Sequence, residues 1–199
     1  MFGHQTCEHP SCNNTALHLS EYCSQHLADK QSYIEKISAF INENTEFYGL
    51  NLSGITVSKL NFSQKSIRFC NFSHSEFTQC NFVKSSLYMV FADFSVFKSC
   101  DFSHSSMKWT VLSGSLMEDC NFLESDLVRS AFVGAETKNC KFNNSDLYSS
   151  RFVSAKLHHT EFMDCNILRT HFEQTLLDEV SFKYSNMAEA YFDKEVGPA

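Results

Sequence analysis

Three cysteines and a histidine near the start of the chain, Cys7, Cys12, Cys23 and His26, follow the spacing C-x4-C-x10-C-x2-H. Sulfur and imidazole ligands brought together from short loops suit tetrahedral zinc. A segment this short cannot bury a core of its own, and a structural zinc supplies on the order of 10–16 kcal/mol in isolated fingers. The expectation is a closed, structural Cys3His zinc site, with His9 or His4 as alternatives to His26 for the fourth ligand. Two other readings compete: unligated thiols near the surface, and a nucleophilic Cys23–His26 dyad. Nothing else in the chain supports the dyad.

The remaining chemistry-bearing residues read as structural. Cys70, Cys80, Cys100, Cys120, Cys140 and Cys165 all stand at multiples of five. A metal or redox ladder is conceivable there, but cysteine is also a small apolar residue suited to a tight interior. His158 and His159 fall on outward positions and read as solvated surface. The N-x-S/T sequons at Asn13, Asn51, Asn61, Asn71 and Asn143 read as accidents, four of them of the repeat described next. No nucleophile elbow, phosphate loop, dinucleotide fingerprint or HExxH motif occurs, so the expectation is a non-enzymatic protein with no catalytic residues.

The element that places these residues is a repeat. From Phe47 to Phe192 every fifth residue is apolar, thirty positions with Thr137 the one polar exception. Two residues earlier the side chain is usually small, as at Cys70, Ser75, Cys80 and Ser85. A period of five matches neither helix nor strand. It suits a chain that turns a corner every five residues, and identity repeats best at twenty: Phe62, Phe82, Phe102, Phe122, Phe142, Phe162 and Phe182 form one column. Four corners per coil give a four-sided solenoid. Residues 45–194 would make about 7.5 coils and, at ~4.8 Å per coil, a rod about 36 Å long.

Segments such as CNFSHSEF, CDFSHSSM, CNFLESDL and CKFNNSDL resemble the pentapeptide-repeat family, whose pattern is A(D/N)LXX with Leu or Phe at the centre. That resemblance implies an all-β fold, a right-handed quadrilateral β-helix. It also implies a homodimer through the C-terminal end. Several family members protect DNA gyrase and topoisomerase IV from quinolones or toxins by mimicking DNA. Here that role would fall to the acidic cluster Glu118, Asp119, Glu124 and Asp126, which the chain would offer to the enzyme as partner without binding nucleic acid itself.

Around the rod the reading is a zinc-binding segment over 1–26, an amphipathic capping helix over 27–44 with Ile34, Ile37 and Ile41 on one face, and a tail over 195–199. Met187 to Val196 reads as a short helix. Net charge is −7 over 199 residues, which argues against a phosphate-binding surface. Residues 45–199 hold 18 acidic and 14 basic residues, a net of −4. A 36 Å duplex mimic would want about 20 mostly unopposed charges. The outward column Lys98, Glu118, Lys138, His158 and Asp178 instead alternates in sign. The alternative reading is therefore a zinc-capped protein-interaction scaffold. The opening MFGHQTCEHP lacks the basic and apolar stretches of a secretion signal, and many free thiols suit a reducing compartment, so the expected location is cytoplasmic.

Overall fold

The chain turns by left-handed residues at fixed intervals. In the computed structural model, which describes residues 5–193, φ is positive at every fifth residue from Gly49 to Tyr184. Only Gly49, Gly54, Gly114 and Gly134 among these corners are glycine; the rest, Lys59, Phe69 and Trp109 included, sit at φ between 47° and 67°. Such a conformation costs a non-glycine residue about 1–3 kcal/mol on its own. The stack offsets it, because corner amides donate to the next coil: Lys59 N–H to Thr78 O at 2.9 Å, Gln64 to Val83 at 2.9 Å, His74 to Asp93 at 3.0 Å. A chain that corners in this way needs few glycines or prolines.

Between corners the coils pair in parallel with a constant offset of twenty residues, as in Glu46↔Ser66 and Phe47↔Ile67. We number the four faces by the inward residue of the first coil: Phe47, Leu52, Val57 and Phe62. Face 1 carries three paired strands, Glu46–Tyr48, Ser66–Arg68 and Ser86–Tyr88, and continues as single bridges. Face 3 carries a seven-stranded ladder from Thr56–Ser58 to Leu176–Asp178. Faces 2 and 4 are bridges alone, such as Asn51↔Asn71 and Asn61↔Asn81. The bridges of face 2 run from Asn51 to Tyr191 in seven steps, so the fold is a β-solenoid of about seven turns.

Every inward residue from Phe47 to Phe172 is buried. The Phe62–Phe182 column stacks ring on ring at 4.6–5.2 Å with interplanar angles of 1–10°. Across the rod it meets the face 2 rings edge-on, as in Phe132–Phe142 at 5.7 Å and 87°. Each buried ring contributes on the order of 1.5–3 kcal/mol, and together they fill the interior. The polar exception is satisfied internally: Thr137 Oγ1 lies 2.8 Å from Thr160 Oγ1, which donates to His158 O.

The N-terminal end is closed by helix α1 (Lys30–Glu43). It starts three residues later than the sequence suggests, because Asp29 is extended and its carboxylate accepts from Ser32 N–H at 2.9 Å, an N-cap that fixes the start. Its buried face is Tyr33, Ile37 and Ile41, with Ile34 and Phe40 only partly covered. Burial pushes the Tyr33 phenol up, keeping it a donor, and it bonds His18 O at 3.0 Å. Lys65, which occupies an inward small-residue position, sends its ammonium to Asn44 O at 2.7 Å, the carbonyl just past the helix end.

At the other end Leu177, Phe182, Met187 and Phe192 are only half-buried, so nothing among the described residues covers the last coil. The expected helix from Met187 to Val196 is a short 3-10 turn over Met187–Glu189, after which Ala190 is extended. Residues beyond 193, including the tail, lie outside the described residues. Among the described residues no helix is long and apolar enough to cross a membrane.

Candidate metal centre

The four spaced residues converge. Thr6 and Thr15 bridge antiparallel, and the Cys7 amide donates to Asn14 O at 2.9 Å, which folds the first loop back on itself. Within that loop the Cys12 amide donates to His9 O, and in the second the His26 amide donates to Cys23 O at 3.0 Å. These two turns place the ligand atoms of Cys7, Cys12, Cys23 and His26 within 4.8 Å of one another.

The separations resemble tetrahedral edges. Ligands at the usual zinc bond lengths lie about 3.8 Å apart for two sulfurs and about 3.5 Å for sulfur and nitrogen. Here Cys12 Sγ and Cys23 Sγ are 3.9 Å apart, and His26 Nδ1 lies 3.5 Å from Cys7 Sγ and 3.4 Å from Cys23 Sγ. One ring nitrogen shared between two sulfurs suits coordination better than a nucleophile–base pair, and Cys23 is buried. Burial opposes ionisation of Cys23. The backbone at Gln25 and His26, aided by the Cys7 thiol and the Asn14 amide, outweighs it and brings the thiol down to about 6. His9 is not in the cluster; its ring stacks on His26 at 3.7 Å and 3°, bracing the imidazole. His4 lies outside the described residues.

The cluster is joined to the rod by Asn51, on the first coil. Its carbonyl accepts from His18 N–H at 2.9 Å, and its buried amide donates to Ala16 O at 2.7 Å. The segment thereby covers an open coil edge, which would otherwise recruit other chains. Asn51, Tyr33 and Lys65 escape a reading of the sequence, because each looks like an ordinary turn, helix or surface residue.

The acidic cluster is divided by the fold. Asp119 forms the corner between faces 3 and 4 with Glu118 just before it, while Glu124 forms the corner between faces 4 and 1 with Asp126 two residues beyond. Two of the four have basic side chains beside them: His104 Nδ1 lies 3.2 Å from Glu124, and Lys108 Nζ forms an ion pair with Asp126 at 2.7 Å. The repeat cysteines are all buried and free; Cys100, Cys120 and Cys140 donate to the carbonyls of Phe77, Phe97 and Met117 at 3.3–3.4 Å. Neighbouring thiols, and then burial, push Cys80 and Cys120 up. The hydrogen bonds from Cys120 and Cys80 bring Cys100 between them down, so the shifts alternate along a buried packing column. His158 pairs with Asp178 at 3.0 Å and His159 with Glu179 at 2.9 Å, both at the surface.

The stacked coils, left-handed corners and inward Phe columns define a pentapeptide-repeat β-solenoid with an added Cys/His segment. No protein-family model matches the chain, and no curated protein matches it. Among solved structures, the chain is similar to a trypsin-treated form of QnrB1, a plasmid-mediated fluoroquinolone resistance protein. Identity is 19% over 72% of this chain and 78% of that one, with a TM-score of 0.51. It is also matched to HetL, a pentapeptide repeat protein involved in heterocyst differentiation regulation from the cyanobacterium Nostoc sp. strain PCC 7120, at 9% identity over 80% of this chain and 96% of that one, with a TM-score of 0.33.

Proposed function

We propose that the chain is a non-catalytic, zinc-capped interaction rod. Cys7, Cys12, Cys23 and His26 would hold the metal, whose chemistry is structural: four protein ligands leave no open position for water. The observation that carries the scaffold reading is the charge pattern of the outer surface. Lys98, Lys108 and Lys138 each hold a carboxylate, Glu76, Asp126 and Glu136, at 2.7–3.0 Å. Paired charges of this kind make a patchwork, whereas a mimic of duplex DNA needs acids without counterions. The free, buried thiols suit a reducing, cytoplasmic setting. The half-covered last coil suits pairing with a second copy through the C-terminal end.

The likeness to QnrB1 supports a second reading, in which Glu118, Asp119, Glu124 and Asp126 contact DNA gyrase or topoisomerase IV and protect it from quinolones. A gyrase supercoiling assay with and without ciprofloxacin, titrated with purified protein, separates the two. The scaffold reading expects no change at micromolar protein. Rescue or inhibition of supercoiling that disappears on charge reversal at those four residues would replace it with the mimic.

A further inference from the structure

All four arginines of the chain, Arg68, Arg129, Arg151 and Arg169, lie along one edge of the rod, where face 1 turns into face 2. Each is exposed, and no described carboxylate comes within ion-pair distance of any of them. From Tyr48 to His171 the three outward rows nearest this edge contain no acid at all, in a chain of net charge −7. The same edge gathers exposed aromatics, Tyr48 at 70% and Trp109 at 43% exposure among them. A shallow cavity of about 320 Å³, lined by Arg68, Phe69, Ser86 and Tyr88, opens beside them.

The stripe is ordered by its own contacts. Tyr48 leans on Phe69 at 5.2 Å and Phe69 on Tyr88 at 5.8 Å. The Arg129 guanidinium sits 4.8 Å over the Trp109 ring, and Arg169 Nη1 donates to Tyr148 Oη at 3.3 Å. An arginine stacked on a ring keeps its in-plane fork available for a carboxylate. Exposed Trp, Tyr and Arg are the residue types that dominate protein-binding hot spots. Base stacking fits less well, because Arg129 and the neighbouring rings already occupy ring faces that single-stranded nucleic acid would use.

We infer that this edge docks an acidic amphipathic helix of a protein partner, with apolar side chains on the Tyr48–Trp109 half and carboxylates on Arg129, Arg151 and Arg169. Arg129 and Arg169 stand two coils apart, about 9.6 Å, and two helical turns advance about 10.8 Å, so carboxylates two turns apart reach both. The inference rests on the scaffold reading and names the partner's chemistry.

Trp109 is the single tryptophan, so its emission reports the edge directly. The full chain is titrated with three probes: a helical peptide of about 20 residues bearing leucines on one face flanked by glutamates, the same peptide with lysine for glutamate, and oligodeoxythymidylate of about 20 nucleotides. A saturable blue shift with the acidic peptide alone is expected. In anisotropy with labelled peptide, the Arg129→Ala, Arg169→Ala double variant should bind about tenfold more weakly or worse, while Lys156→Ala on face 3 binds unchanged. No shift, an equal response to the basic peptide, tighter binding of the oligonucleotide, or a dimer that buries Trp109 would each overturn the inference. The supercoiling assay reads a different surface, so the two readings fail separately.

Discussion

The cap and the rod solve the same problem, closing a small core, in opposite ways. The rod repeats one contact set: ring on ring, amide to the next coil, corner after corner, so no single position is unique. The cap depends on singular contacts: four ligand atoms within 4.8 Å, Asn51 joining Ala16 and His18 to the first coil, and Lys65 at the helix end. A repeated architecture spreads its stability over near-neighbour terms, whereas the cap concentrates its stability in one cluster. The rod should therefore tolerate damage at its surface and fail from inside, and the cap should fail from one cluster.

The largest effect expected tests the rod. Phe122 is fully buried and sandwiched between Phe102 at 4.8 Å and Phe142 at 4.6 Å. Phe122→Asp places a carboxylate there with no counterion, at a cost of several kcal/mol or more. Loss of the cooperative melting transition is expected; a variant that keeps its melting temperature would refute the register. Next comes the cap. Chelation, or Cys23→Ser, should free the N-terminal segment and leave most of the β-signal in circular dichroism, with one zinc per chain lost by elemental analysis. Collapse of the whole β-signal would show that cap and rod are one cooperative unit.

How much of this was legible in the sequence follows the same division. The rod was readable because its signal recurs: a period of five with a twenty-residue column overtone leaves one four-sided answer. The convergence of Cys7, Cys12, Cys23 and His26 was readable because metal-ligand spacing is local. Contacts between the two were not. Tyr33 looks like a helix surface residue, and Lys65 breaks the small-residue rule at a position where the cap supplies an acceptor beyond the core. The arginine edge was invisible for a different reason. Arg129, Arg151 and Arg169 are far apart in sequence and share an edge only once the corners are assigned. The acidic cluster shows the converse, since Asp119 and Glu124 are close in sequence yet form opposite corners of face 4.

A smaller effect probes the joint. Asn51→Ala leaves Ala16 O without its buried donor while keeping the backbone bond from His18. An unsatisfied buried carbonyl costs about 1–3 kcal/mol. The cap should therefore exchange amide hydrogens faster, with the protection of coils beyond Phe122 unchanged. Equal loss of protection along the whole rod would place the joint inside the rod's cooperative unit.

The smallest effect sharpens what the corners require. Gly114 and Gly134 have nearly the same backbone, φ +64° and +65°, but different neighbours. A Cβ at Gly134 meets nothing within 4 Å, while one at Gly114 would lie 2.6 Å from the Phe94 ring, which stacks on His74 at 5.3 Å. Since most corners already hold side chains at this φ, the backbone alone should not reject one. Asparagine tolerates the left-handed region, and losing a glycine restricts the unfolded chain, worth about 0.4–1 kcal/mol where the fold accepts it. Gly134→Asn is thus expected to raise the melting temperature slightly. Gly114→Asn should be neutral or lower it, because Phe94 must swing off His74 to make room. Equal destabilisation of both variants would mean that these two corners need glycine for its backbone freedom, even though both donate to the next coil as the other corners do, Gly114 to Val133 O and Gly134 to Val153 O at 2.9 Å.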